Sequence, residues 1–219
     1  FLLNQDGPST NTGNNKWTVN NEYIGAPLYP NTTNQDSTVS GTINNSPFST
    51  YLHIYDSAVA PNPANSNFDP NNASDNFAYA GSGFCTLGMV DVRITFFWMA
   101  QGDTNAYGEV YYSADGGPWT KVGANKYNSQ TKWKYEVIQD PAFENVQDLR
   151  FGFRWVNPSG STPARLSFGI DDIIVVGNYD PINNPVNISI SNITPSVVCQ
   201  LDRIFIFWDL SGELCLGTY

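Results

Sequence analysis

The sequence predicts an all-β fold, an antiparallel β-sandwich, on three observations. Short β-branched and aromatic runs recur along the chain, turn signals separate them, and no stretch of ten or more residues follows a 3.6-residue period. Asparagine is the commonest residue, beside 18 Gly and 14 Pro, and these types break helices and make turns. The 219 residues are 41% hydrophobic, enough for a sizeable core, which excludes full disorder.

Phe1-Leu2-Leu3 reads as the first strand of a processed secreted chain or as an appended remnant. Trp17-Thr18-Val19, Tyr51-Leu52-His53-Ile54-Tyr55 and Phe77-Ala78-Tyr79-Ala80 read as short strands between long loops, with Pro61 to Asn76 a polar surface loop. Val92 to Met99 is a β-branched and aromatic run of strand length. Tyr107 to Ser113, the turn Ala114-Asp115-Gly116-Gly117 and Trp119 to Val122 make a hairpin signal. Trp133 to Ile138 is a further strand. Leu149 to Val156 alternates cleanly, with Leu149, Phe151, Phe153 and Trp155 on one face and Arg150, Gly152 and Arg154 on the other. Arg165 to Gly177 closes the series, its core set being Leu166, Phe168 and Ile170. Aromatics on successive strands would interdigitate between two sheets roughly 10 Å apart.

Composition changes after Gly177. Residues 1–178 form one predicted domain, 179–185 a linker, and 186–219 the start of a second β domain, with strands at Val186 to Ile190 and Arg203 to Trp208. The chain thus reads as the N-terminal part of something longer.

The formal net charge of −10 comes from 10 Lys and Arg against 20 Asp and Glu, which argues against nucleic acid and anionic membrane partners. It suits an extracellular protein, or one holding a hard cation. No uncharged apolar run approaches the roughly 20 residues of a membrane helix, so no membrane insertion is expected. Three cysteines are too few for a disulfide scaffold.

Four segments carry a resemblance: Tyr51 to Ile54, Ala106 to Ser113, Phe151 to Asn157, and Phe168 to Ile173 with its Ile-Asp-Asp-Ile. They resemble the N-terminal jelly-roll domain of giant secreted repeat proteins of Bacteroidetes, which include SprB-type surface adhesins of gliding flavobacteria exported by the type IX secretion system. The last strand is also similar to MAM domains and jelly-roll carbohydrate-binding modules. The resemblance covers roughly residues 1–178, and the tail from Asn187 looks like the opening of Ig-like repeats. It implies a cell-surface location, a glycan or other surface ligand, and secretion or anchoring partners that act through regions beyond Tyr219.

Catalysis finds little support in the residues. Ser-His-Asp or Cys-His chemistry needs a histidine base, and the one histidine, His53, lies in a predicted strand between Tyr51 and Tyr55. Glu109 and Glu136 sit on aromatic strands, and a glycosidase pair would have to face one cleft. The resemblance implies a structural Ca²⁺ that ties the N-terminal segment to the last strand. Asp6, Asn14, Glu22 and Asp171 or Asp172 would supply oxygens; the alternative is that one Asp caps a bulge and the other is solvated. Tyr112 and Trp119 flank the hairpin turn and are candidate ligand-binding aromatics, whereas Trp98 and Trp155 read as core. Cys199 and Cys215 could pair across neighbouring strands, leaving Cys85 buried and free, or all three could be small core residues.

The expected function is therefore a non-enzymatic adhesion domain of a large secreted repeat protein, serving surface attachment and, through the resemblance, gliding motility. The alternative is a carbohydrate-binding module of a polysaccharide-degrading enzyme, and a third reading is a cap that protects the first repeat.

Overall fold

A computed structural model describes residues 1–20, 35–36, 42–46, 48–59, 68–101, 104–161, 167–180 and 182–183. The strands are β1 (Leu2–Gln5), β2 (Asn15–Asn20), β3 (Tyr51–Asp56), β4 (Ser74–Tyr79), β5 (Met89–Ala100), β6 (Tyr107–Ala114), β7 (Thr120–Tyr127), β8 (Gln130–Gln139), β9 (Leu149–Asn157) and β10 (Gly169–Tyr179). The helical content of the described residues is one 3₁₀ turn, Pro141–Phe143, capped by the Asp140 carboxylate accepting from Ala142 N.

Two five-stranded antiparallel sheets run in the orders β1-β4-β9-β6-β7 and β2-β3-β10-β5-β8. Set aside β1 and β2, and the chain crosses between the sheets at every step but the β6–β7 hairpin, giving β4-β9-β6-β7 facing β3-β10-β5-β8. That weave is the double Greek key of a jelly roll, so the expected sandwich fold holds for the described residues. Leu2 and Leu3 do open the first strand, and Ser74 to Asn76, expected in a loop, open β4. The expected second domain lies outside the described residues, and of the expected linker Tyr179 instead ends β10 while residues 180, 182 and 183 follow it.

The core follows from the two-residue period. Leu149, Phe151, Phe153 and Trp155 are all fully buried, as are Phe168 and Ile170 opposite them; Leu166 lies outside the described residues. Phe153 packs against Phe96 at 5.5 Å and Phe168 at 6.3 Å, bringing β9, β5 and the residue that leads into β10 together across the sandwich. Each such side chain contributes roughly 1.5–3 kcal/mol by leaving water.

Asparagine has an unexpected place. Asn15, Asn76 and Asn157 are buried rather than surface turn-formers. Asn15 Nδ2 donates to Asp69 O (3.0 Å) and Ser74 Oγ (2.8 Å), while Asp69 N donates back to Asn15 Oδ1 (2.7 Å). Asn157 Nδ2 donates to Asp69 O (3.0 Å) and Asn72 O (2.9 Å). The amides thus supply the donors that buried loop carbonyls between Phe68 and Ala73 require.

Candidate functional site

The outer face of the β1-β4-β9-β6-β7 sheet carries a concentration of aromatic and charged side chains. Register puts Phe77, Arg154 and Glu109 side by side on β4, β9 and β6, and next to them Tyr79, Gly152, Tyr111 and Lys121. Residues directly opposite one another share a face, so these project away from the Leu149–Trp155 core set.

Along this face runs a row of alternating charge. Arg154 donates from Nε and Nη2 to both oxygens of Asp75 (2.7 and 2.6 Å), and from Nη1 to Glu109 Oε2 (3.1 Å). Lys121 Nζ donates to Glu109 Oε1 (2.7 Å), and the Tyr111 hydroxyl donates to Glu109 Oε2 (2.7 Å). Burial alone would raise the Glu109 carboxyl, but the Lys121 and Tyr111 hydrogen bonds and the charges of Lys121 and Arg154 outweigh it and hold it below the usual carboxylate range. The Asp75 carboxylate, opposed by partial burial, raises the Arg154 guanidinium further above its ordinary value. Glu109 is therefore kept ionised and acceptor-only, unsuited to donate a proton as a general acid.

Above this row sits Trp119. Asp115 (φ +52) and Gly116 (φ +73) form the tight turn after β6, closed by Gly117 N donating to Ala114 O at 2.8 Å. Asp115 Oδ1 accepts from Gln147 N (3.0 Å) and Asp148 N (2.9 Å), which ties the turn to the start of β9. Trp119 then packs on Phe77 at 4.8 Å and Tyr79 at 5.2 Å, both from β4. Phe77 in turn lies across Gly152, where an added Cβ would meet its ring at 2.2 Å, so only glycine fits beneath it. Trp119 stays half-buried over this stack.

Tyr112, paired with Trp119 as a candidate from sequence, lies on the opposite face: its ring packs edge-on against the buried Phe143 at 5.1 Å, beside the core. Tyr111 is the tyrosine on the outer face. Trp98, Trp133 and Trp155 are buried.

The other expected sites disperse. Asp171 is 6% exposed on β10, and burial pushes its carboxyl up to about 6, against the Ser49 hydroxyl and the Asp172 backbone N–H, which draw it down. Asp172, at φ +48 in a bulge, accepts from Asn44 N at 2.6 Å. Around them Ile43 packs with Tyr51, Phe97, Met99 and Trp133 on the outer face of the second sheet. Asn14 precedes the Asn15↔Asp56 pair, whereas Ile170, beside Asp171, pairs with Leu52. Four residues of β3, roughly 13 Å, separate those two points. Asp6 follows β1 at the edge of the first sheet, and Glu22 lies outside the described residues. Among the described residues no three His, Cys, Asp or Glu side chains converge on one point, so the described members of the expected calcium set do not meet.

His53 is fully buried, with Nε2 2.7 Å from Asn20 Oδ1 and Nδ1 3.0 Å from Ile54 O. Burial drives its pKa down to about 4, against the Ile54 hydrogen bond, and keeps the ring neutral at pH 7. Cys85 is disulfide-bonded and only partly buried, which corrects the expectation of a buried free thiol. Cys199 and Cys215, and with them the pairing expected between them, lie outside the described residues.

The charged row was not recognised from sequence, because Asp75, Glu109, Lys121 and Arg154 come from four strands whose register no local pattern gives. The available signal was the polar phase of β9, which places Arg150 and Arg154 opposite the core set.

No protein-family model and no curated protein matches the chain. Solved structures do match. TmCBM61 in complex with beta-1,4-galactotriose is 14% identical at a TM-score of 0.36, over 74% of this chain and 88% of that one. The CBM22-1 xylan-binding domain of Paenibacillus barcinonensis Xyn10C is 14% identical at 0.29, over 82% and 93%. The enzymatically active domain of Bacteriophage CBA120 tailspike protein 4 is 13% identical at 0.35, over 74% of this chain and 19% of that one. Likeness at these scores is too low to bear on function, which rests on the outer face itself: an aromatic platform at Trp119 and Tyr79 beside a fully paired row of charges.

Proposed function

We propose that the chain is a non-catalytic glycan-recognition domain whose binding face is the outer surface of the β1-β4-β9-β6-β7 sheet. The observation that carries this reading is the Trp119 ring held half-open over Phe77 and Tyr79, next to the Asp75–Arg154–Glu109–Lys121 row. A sugar ring has apolar C–H faces that pack on aromatic rings and hydroxyls that donate and accept together. Paired carboxylates and cations offer both partners within a few ångströms. Attachment of a secreted repeat protein to a surface glycan is the wider role we infer from the family resemblance, and this face would serve it.

Native affinity electrophoresis through gels containing one polysaccharide each tests the proposal. Retardation by at least one polysaccharide, relieved by the matching free oligosaccharide, is the expected result. Unchanged mobility across a broad panel of plant, algal and bacterial polysaccharides would contradict it.

A further inference from the structure

We propose that this face selects by charge, accepting neutral glycans and rejecting those that carry carboxylate or sulfate groups. The inference rests on the glycan-recognition reading above and narrows its ligand class.

Every charge in the row already has a partner. Asp75 takes two donors of Arg154, and Glu109 takes a third from Arg154 together with Lys121 and the Tyr111 hydroxyl. Two acids and two cations sum to zero. Arg150, farther along β9, is likewise clasped by Asp148, at 2.8 and 3.0 Å. Lys126 stands at the Tyr107 end of β6, its ammonium 4.1 Å from the centre of that ring and bonded to Thr104 O at 2.7 Å. About 13 Å of strand separates Tyr107 from Tyr111, which adjoins Trp119's partner Phe77, so this cation lies away from the platform.

An anionic sugar that takes a cation at the platform competes for Arg154 or Lys121 with a mostly buried carboxylate. Asp75 would then lose its cation, or Glu109 one of its two, where water screens the remaining charge poorly. A neutral hydroxyl has no such conflict. It donates to a free lone pair of Asp75 or Glu109 Oε1, and where it accepts from Lys121 it replaces only a neutral Asn125 contact, so no ion pair breaks. The formal net charge of −10 adds long-range repulsion of polyanions.

The test compares neutral polysaccharides with anionic counterparts in affinity electrophoresis: galactan with polygalacturonate, xylan with glucuronoxylan, and β-glucan with carboxymethylcellulose. The intact chain should bind a neutral member at least tenfold more tightly than its anionic counterpart. Equal or tighter binding to the anionic member overturns this inference and leaves the glycan reading standing; binding to no member overturns both. Glu109→Gln and, at the more exposed acid, Asp75→Asn each leave the row with one excess positive charge. Each should gain retention on polygalacturonate at low salt and lose it at high salt. Failure of both variants to gain it, with melting temperatures near that of the parent chain, also overturns the inference.

Discussion

Trp119 packs edge-on against Phe77 with 4.8 Å between ring centres, reaching from the β6–β7 turn to a strand on the far side of β9. The contact makes Trp119 both a cover for Phe77 and the exposed rim of the proposed binding face. Trp119→Ala should weaken glycan affinity at least tenfold, while costing about 1–2 kcal/mol in stability from lost ring packing. Affinity electrophoresis with calorimetric melting separates the two effects. Wild-type affinity in a folded variant would remove Trp119 from the site.

Arg154 holds two carboxylates that are themselves mostly buried, with side-chain exposures of 19% for Asp75 and 7% for Glu109. Arg154→Met should therefore cost about 2–4 kcal/mol, because it leaves two charges facing each other without the bridging cation. Arg154→Lys should recover part of that loss, since an ammonium restores charge but not the two-armed geometry. Urea denaturation at neutral pH reads both.

The buried amides make a similar claim about stability. Asn157→Ala removes one of the two amide donors, Asn157 and Asn15, that serve the carbonyls of Asp69 and Asn72, and should cost about 1–3 kcal/mol. Asn157→Asp keeps the shape but turns a donor into an acceptor facing those same oxygens. At neutral pH it should cost more than the alanine variant, and the gap should narrow below the carboxylate range. Chemical denaturation at two pH values would show this.

His53 and Asp171 predict opposing pH effects. Folding lowers the His53 pKa from 6.5 to about 4. Its contribution is complete above 6.5 and is lost as pH falls towards 4. Folding raises the Asp171 pKa from 3.8 to about 6, so its contribution is complete below 3.8 and is lost as pH rises through 6. At 1.36 kcal/mol per unit each is worth about 3 kcal/mol, and the two nearly cancel. Thermal melting of the parent chain should thus change little between pH 7 and 4.5. His53→Gln should instead become more stable on acidification over that range, and Asp171→Asn less stable. Parallel profiles for all three proteins would contradict the assignment.

The strands were largely legible in the sequence because a two-residue period is local. Leu149, Phe151, Phe153 and Trp155 declare their common face within one segment, and Asp115-Gly116 declares a tight turn from residue type alone. Register is not local. Arg154 meets Asp75 across 79 positions, and no periodicity in either strand announces that meeting. Tyr112 shows how phase can outrank proximity: it flanks the same turn as Trp119, yet it shares the inward phase of Val110. Asparagine does form turns, with Asn4, Asn11, Asn45 and Asn145 at positive φ, but it has a second role. Its composition signals turns, but Asn15, Asn76 and Asn157 work as buried donors, a role that depends on which carbonyls the fold brings near.

Backbone amide NMR, recorded while a neutral oligosaccharide from a retained polysaccharide is titrated in, locates the ligand most directly. Shifts concentrated on the Trp119 indole, Tyr79, Gly152, Tyr111 and Lys121 are the predicted outcome. Shifts centred on Val137 and Ile174, 49% and 47% exposed on the opposite sheet, would place recognition elsewhere and contradict the assignment.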